Sequence, residues 1–355
     1  MAVMIGIDPH KRSHTAVALD GTDVVLGQLR VTADRRQLDR LLGFARPWPD
    51  RVWAVENANG LGRIVSRQLL AAGETVVDVP AKLSARVRAL SGAGHKTDAH
   101  DARSTAVAGR TGTGVKPMAV DDPLLVLFDV VLERRWQLVS ARQKTLCRIH
   151  DQVACLIPGG AAKHLTADKT ATLLRRIRPT DPVGVRRRLI VRELLGELRT
   201  LDRKIAPLDA DIAWMLDEHG TTLCDIVGIG HTGAATILAI TGDVTRFRSA
   251  AAYASFAGTA PIAASSGDTI RHRLNRGGNR QLNKVLHTAA KTQVRLAGPG
   301  RDYYQRRRSE SKTNAEALRA LKRHITTTIY RTLQTDAKAR TARRAKQVSE
   351  EDKRS

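Results

Sequence analysis

Four acids, Asp8, Glu56, Asp98 and Asp101, are the residues of this 355-residue chain best suited to metal-assisted chemistry. Asp98 and Asp101 stand three apart in the run Lys96-Thr97-Asp98-Ala99-His100-Asp101-Ala102. A helix there puts both carboxylates on one face, with Cβ atoms about 5–6 Å apart. Carboxylates that close repel unless a cation lies between them. A plainer reading stays open: Thr97 or Asp98 caps a helix whose first turn is acidic, which stabilises any helix. Asp8 ends the apolar run Val3-Met4-Ile5-Gly6-Ile7, and Glu56 ends Val52-Trp53-Ala54-Val55. Each run reads as a buried strand with an acid at its end, although Asp8 alone could simply cap a turn before Pro9. Carboxylates from separate elements meeting at one sheet edge suit two divalent ions about 3.5–4 Å apart. Magnesium (or manganese) fits, because hard oxygen ligands and a partly kept water shell need few protein groups.

A second group lies near the other end. Ser265 and Ser266 precede Gly267, and Arg271, Arg273, Arg276, Arg280 and Lys284 follow with several amides between them. A serine beside glycine is ordinarily a loop residue. Here it neighbours guanidinium groups of the kind that neutralise a phosphodiester bidentately. No local base activates the serine, so a metal or the phosphate itself would have to assist. Upstream, Leu223–Ala239 with Gly228-Ile229-Gly230 reads as a helix-hairpin-helix, in which glycines let backbone amides approach a phosphate. Gly-x-Gly also serves ordinary tight turns.

Elements that could position these groups follow from the hydrophobic pattern. Strands are expected at Val3–Asp8, Thr15–Leu19 and Val24–Val31, joined by the hairpin signal Asp20-Gly21. Further strands are expected at Val52–Glu56 and Thr75–Val79, with helices at Asp34–Ala45, Leu61–Ala72 and from Pro80 through Leu90. The crossovers imply a mixed sheet covered by helices. An aspartate ending a central first strand, followed by a hairpin meander, is how RNase H-like nucleases begin. Ala99, Ala102, Ala106 and Ala108 would let the acidic helix approach closely. Asp121–Cys155 and Val185–Leu216 keep a helical period and read as an antiparallel pair, a spacer or oligomerisation arm. A helix is expected over Asn279–Leu296 and another within Asp302–Thr332. Beyond Thr335 basic and acidic residues dominate without an apolar face, as in a mobile tail.

Bulk composition narrows the partners. Lys and Arg number 59 against 35 Asp and Glu, a formal charge of +24. Such an excess calls for a polyanion, nucleic acid first. Aromatic residues are 3% of the chain, so phosphate contacts rather than base stacking would carry binding. No apolar run reaches the roughly 18 residues of a membrane span, and the N-terminus lacks a signal-peptide core, so a cytoplasmic, nucleoid-associated protein is expected. Cys147, Cys155 and Cys224 are scattered, which fits a reducing compartment and neither a disulfide framework nor a zinc site.

The blocks GIDPHK, AVEN and KTDAHDA, followed in order by GIG, AGTAP, SSG and RHRLNRGGNRQLN, resemble the DEDD-motif insertion-sequence transposases of the "IS one-ten" family over nearly the whole chain. The resemblance implies an α/β plus α fold in four parts. These are a RuvC-like (RNase H-like) domain over 1–115, a helical coiled-coil connection over 116–220, a mainly helical transposase domain over 221–334 and a basic tail over 335–355. It also implies that Asp8, Glu56, Asp98 and Asp101 hold Mg2+ (or Mn2+) and that Ser266, with Ser265 beside it, is the nucleophile. The partners implied are target and donor DNA, a non-coding bridge RNA and further copies of the chain, as a dimer or tetramer. Two other readings stand beside it: a RuvC-like nuclease or junction resolvase without serine chemistry, and a non-catalytic nucleic-acid-binding protein.

Overall fold

The computed structural model describes residues 2–90, 97–112, 115–118, 122–263, 272–273 and 277–352. The chain divides into an N-terminal unit, Met1–Asp121, and a C-terminal unit, Asp122–Ser355.

In the N-terminal unit the chain runs β1 (Val3–Pro9), β2 (Ser13–Leu19), β3 (Val25–Thr32), α1 (Gln37–Ala45), β4 (Arg51–Glu56), α2 (Arg63–Ala71), β5 (Val76–Val79), α3 (Ala81–Leu90), α4 (Asp98–Thr111) and β6 (Lys116–Pro117). The six strands form one sheet in the order β3-β2-β1-β4-β5-β6. β1, β2 and β3 make an antiparallel meander, whereas β4 lies parallel to β1 and β5 parallel to β4. This is the mixed sheet expected from the crossovers, and it follows from the sequence pattern. The continuous apolar runs of β1 and β4 suit central strands covered on both faces. One face packs Ile5, Ile7, Trp53 and Val55 against Leu41, Val65 and Leu69 of α1 and α2. The other face receives α4, whose Ala102 and Ala106 pack with Val17 and Leu19. The hairpin after β2 is held by Asp20, which accepts hydrogen bonds from the backbone of Thr22 (2.8 Å) and Val24 (2.9 Å). The two-residue edge strand β6 has no counterpart in the sequence reading, because it is too short to show a period.

The C-terminal unit comprises α5 (Pro123–Ala154), α6 (Ala167–Arg176), α7 (Pro182–His219), α8 (His231–Thr241), α9 (Ala250–Phe256), the ribbon β7 (Ile262–Ala263) with β8 (His272–Arg273), and then α10 (Arg280–Arg295), α11 (Pro299–Ser309) and α12 (Asn314–Asp352). α5 and α7 run antiparallel, with Arg135 paired to Asp209 and Arg142 to Asp202. α6 closes their far end through Ile149, Val153, Val191 and Leu198. Their near ends enter the main core, where Phe128, Ile212 and Met215 pack with Leu238, Tyr253, Leu286, Leu321 and Ile329. α12 does not stop near Thr335, where the apolar period ends, but continues to Asp352. The reason is a tertiary contact. Buried Asp336 accepts hydrogen bonds from the hydroxyls of Thr221 (2.7 Å) and Thr222 (2.8 Å), which docks the helix where sequence shows only charge. Among the described residues no helix is long and apolar enough to cross a membrane.

Candidate metal and nucleic-acid site

β1 and β4 pair in parallel with Ile7 opposite Val55, so the acids that follow, Asp8 and Glu56, lie at the same end of adjacent strands. The other two arrive on α4, which Thr97 caps by accepting the backbone N–H of His100 at 3.2 Å. Asp98 and Asp101 are in its first turn. The capping reading therefore holds, and the same cap fixes the turn that presents the two acids. Close approach of α4 depends on a missing side chain. A methyl group on Gly6 would stand 2.0 Å from the Ala102 carbonyl oxygen and 2.5 Å from the Ala106 nitrogen. β1 thus offers α4 bare backbone where the alanines seat, which is the compact contact the small residues foreshadow.

The site is acidic and partly desolvated. Asp8 and Asp101 are buried, Glu56 is half-buried and Asp98 lies nearer solvent. Thr105, one turn beyond Asp101, donates to the Asp101 carbonyl at 2.8 Å and stands 3.3 Å from Glu56 Oε2, so Glu56 faces the acidic helix. Arg88 of α3 is paired with Asp101. Burial pushes the Asp8 carboxyl up to about 6; His10 opposes the rise, while Glu56, Asp101 and Asp98 add to it. The three other acids thus all act electrostatically on Asp8.

Asp8 Oδ2 is buried and has no hydrogen-bond partner among the described residues, although His10 Nδ1 lies 3.5 Å away. His10 Nε2 is 4.0 Å from Asp98 Oδ1, and single ligand atoms of Asp8, His10 and Asp98 all lie within 4.8 Å of one another. Arg30 of β3 reaches Asp98 at 3.6 Å. His10 is the member that sequence reasoning missed: Pro9-His10-Lys11 reads as a turn, and only its position two residues after Asp8 signals more. A buried carboxylate oxygen without a donor, amid like charge, fits a hard cation.

The predicted nucleic-acid set lies in the C-terminal unit. Ser265, Ser266, Arg271 and Arg276 fall outside the described residues. Arg273 is in β8, in register with Ile262 of β7, so the ribbon brackets the serines in sequence. Arg280 and Lys284 are exposed on α10. Asn279 caps α10 by accepting the Leu282 N–H at 3.0 Å, and its own N–H bonds the Phe256 carbonyl at 2.8 Å. Gly228 takes a positive φ of 88° and packs on α10, where a methyl group would stand 2.9 Å from Ala289 Cα. What precedes that turn is a single 3-10 turn at Leu223–Asp225 rather than a full helix.

Comparison with known proteins finds relatives of both units. A family model described as Transposase, of the DEDD IS110 type, matches residues 5–158, and one described as Transposase IS116/IS110/IS902 family matches residues 220–305. An uncharacterized 44.8 kDa protein of insertion element IS116 from Streptomyces clavuligerus is 27% identical, over 90% of this chain and 92% of its own length. A probable family 20 transposase from Pseudomonas aeruginosa is 29% identical, over 74% of this chain and 77% of its own. Among solved structures, Thermus thermophilus RuvC aligns with 33% of this chain and 99% of its own at 19% identity and a TM-score of 0.26. DEDD domains of this type work with a divalent cation, Mg2+, which the acids at the β1–β4 edge are of a kind to hold. With one match over the sheet-bearing part and on through α5, and the other within the C-terminal unit, in chain order, the chain is similar to DEDD transposases of the IS110/IS116 family, enzymes of DNA cleavage and joining.

Proposed function

We propose that the chain is the recombinase of its own insertion sequence and that Ser266 attacks a DNA phosphodiester. Asp8, Glu56, Asp98 and Asp101 are the groups that would hold Mg2+ (or Mn2+). That ion, when bound, supplies positive charge to a phosphate oxygen and to the departing oxygen. The observation that carries the reading is the meeting of four acids from β1, β4 and α4, with Asp8 Oδ2 buried and accepting no hydrogen bond from the described residues.

In the proposed step the Ser266 Oγ–P bond forms and the scissile P–O bond breaks. The serine proton leaves to solvent or a phosphate oxygen, and the departing oxygen takes one up. Joining reverses the step with a different strand hydroxyl, so the phosphodiester energy is kept in the protein–DNA ester. Arg271, Arg273, Arg276, Arg280 and Lys284 neutralise the phosphate. The parts of this reading are the RuvC-like domain (1–115), a helical connection (116–220), a transposase domain (221–334) that includes the turn Gly228-Ile229-Gly230 ahead of α8, and a basic tail (335–355). A bridge RNA pairing with target and donor DNA, and a dimer or tetramer sharing sites, belong to the same reading. They suit a charge of +24 with few aromatic residues to read bases.

Trapping the protein–DNA ester and mapping the modified residue tests it. The expected adduct is on Ser266 and is lost in Ser266→Ala. Cleavage that persists in Ser266→Ala without an adduct would establish the second reading, a metal-only nuclease. The acid set favours that reading as well, because it is complete within the N-terminal unit.

A further inference from the structure

α10 carries no Asp or Glu, and Arg280, Lys284, His287, Lys291 and Arg295 are all exposed. Their spacing of four, three, four and four places them within an arc of about 80° on a 3.6-residue helix, along a line of about 22 Å. The opposite face, Leu282, Leu286, Ala289 and Ala290, is fully buried. The orientation of the basic stripe is therefore fixed by the core.

A fifth cation, beside the four Arg and Lys of the stripe, reinforces it from behind. Lys322 of α12 is 9% exposed, and its ammonium donates to Asn283 Oδ1 of α10 at 2.6 Å. Among the described residues it forms no ion pair with an acid. Burial lowers its pKa, and the His287 pKa is lowered by partial burial and by Lys322 and Lys291 nearby. Like charges gathered on one surface without a counter-charge destabilise the fold. A bound polyanion removes that cost.

We infer that this face of α10, with Lys322 behind it, is the seat of the sugar–phosphate backbone of the DNA strand being cut. The occupant is assigned as DNA because of what the first turn of α10 holds. Asn283 donates to the carbonyls of Ala257 (3.0 Å) and Gly258 (3.1 Å). That backbone leads into β7 and so into the segment of Ser265 and Ser266. Gly258 has φ +69°, and a methyl on Gly278 would stand 2.2 Å from its Cα, so the two strands of chain are locked together at the end of the stripe. This assignment rests on the serine reading for its choice of strand, while its binding test does not require serine chemistry.

The test uses the full chain in EDTA, so that cleavage plays no part. Fluorescence anisotropy over a salt series reads its affinity for a labelled DNA duplex and for an RNA of equal length. Lys284→Gln/Lys291→Gln should weaken DNA binding about tenfold and lower the slope of log K against log salt by about 2, close to one for each phosphate no longer neutralised. Lys322→Met, with helix content checked by circular dichroism, should weaken DNA affinity at constant fold. Arg175→Gln/Arg176→Gln on α6 serves as the control and should leave the slope unchanged. A wild-type slope in the α10 pair, a loss confined to RNA, or unchanged DNA affinity in Lys322→Met would overturn the assignment. Wild-type adduct trapping on Ser266 reports separately on the serine reading.

Discussion

The N-terminal unit gathers acids and the C-terminal unit gathers bases, and each arrangement is electrostatically unfavourable by itself. At the β1–β4 edge, Asp8 is pushed up to about 6 by burial and by Glu56, Asp101 and Asp98. Along α10, five exposed basic or imidazole groups share a helix with no acid, and buried Lys322 stands behind them. The two units solve this differently. The acids sit on bare backbone contacts that leave no room to relax, as Gly6 against Ala102 shows. The bases sit on exposed side chains of one helix face. A rigid cluster of acids suits a small hard ion, whereas an exposed row of bases suits an extended polyanion.

This contrast can be broken most severely at the acids. Asp8→Asn should lower Mg2+-dependent cleavage by about 10³-fold, a barrier increase of about 4 kcal/mol, as read by single-turnover cutting. The same variant should stabilise the N-terminal unit by about 2 kcal/mol in EDTA at neutral pH. The sign follows from the raised carboxyl. Asp8 holds a proton in the fold up to about pH 6 but in the unfolded chain only up to about 3.9, so its ionisation costs stability as pH rises through that window. Denaturant melts of both proteins check this, and an Asp8→Asn that melts earlier would contradict the origin of the strain.

Gly6→Ala comes next in size. The added methyl meets the Ala102 backbone, and overpacking of that kind costs about 1–3 kcal/mol, or more where only backbone can yield. Loss of cleavage together with lower Tm is expected, because Asp98 and Asp101 lose their seat. The smallest effect lies in the C-terminal unit, at His219. This residue is buried, accepts from Arg340 at Nε2, and has its pKa lowered to about 4, first by burial and then by Arg340. Folded His219 stays neutral while the unfolded chain protonates near pH 6.5, so stability falls as pH drops from 6.5 towards 4. His219→Gln should flatten that part of the pH–Tm curve.

Most of what positions the acids was legible in sequence. The apolar runs of β1 and β4 end at Asp8 and Glu56, and Thr97 marks the start of α4, because strand period and capping are local. His10 was not legible as a site member, since its role depends on α4 bringing Asp98 to 4.0 Å. The reach of α12 past Thr335 was hidden for a similar reason, its anchor being the hydrogen bonds of Asp336 to Thr221 and Thr222. Lys322 and Asn283 lie 39 residues apart, and nothing local pairs them. Local signals placed the elements; packing between distant elements decided which side chains work together.

The most direct test of the acid cluster as the cutting centre is DNA cleavage by the full chain across a Mg2+ titration, with Asp8→Asn and Asp101→Asn run in parallel. Cutting should require the ion in the unaltered protein and fail in both variants at saturating Mg2+. Cleavage that proceeds in EDTA, or at unaltered rate in Asp8→Asn, would contradict it.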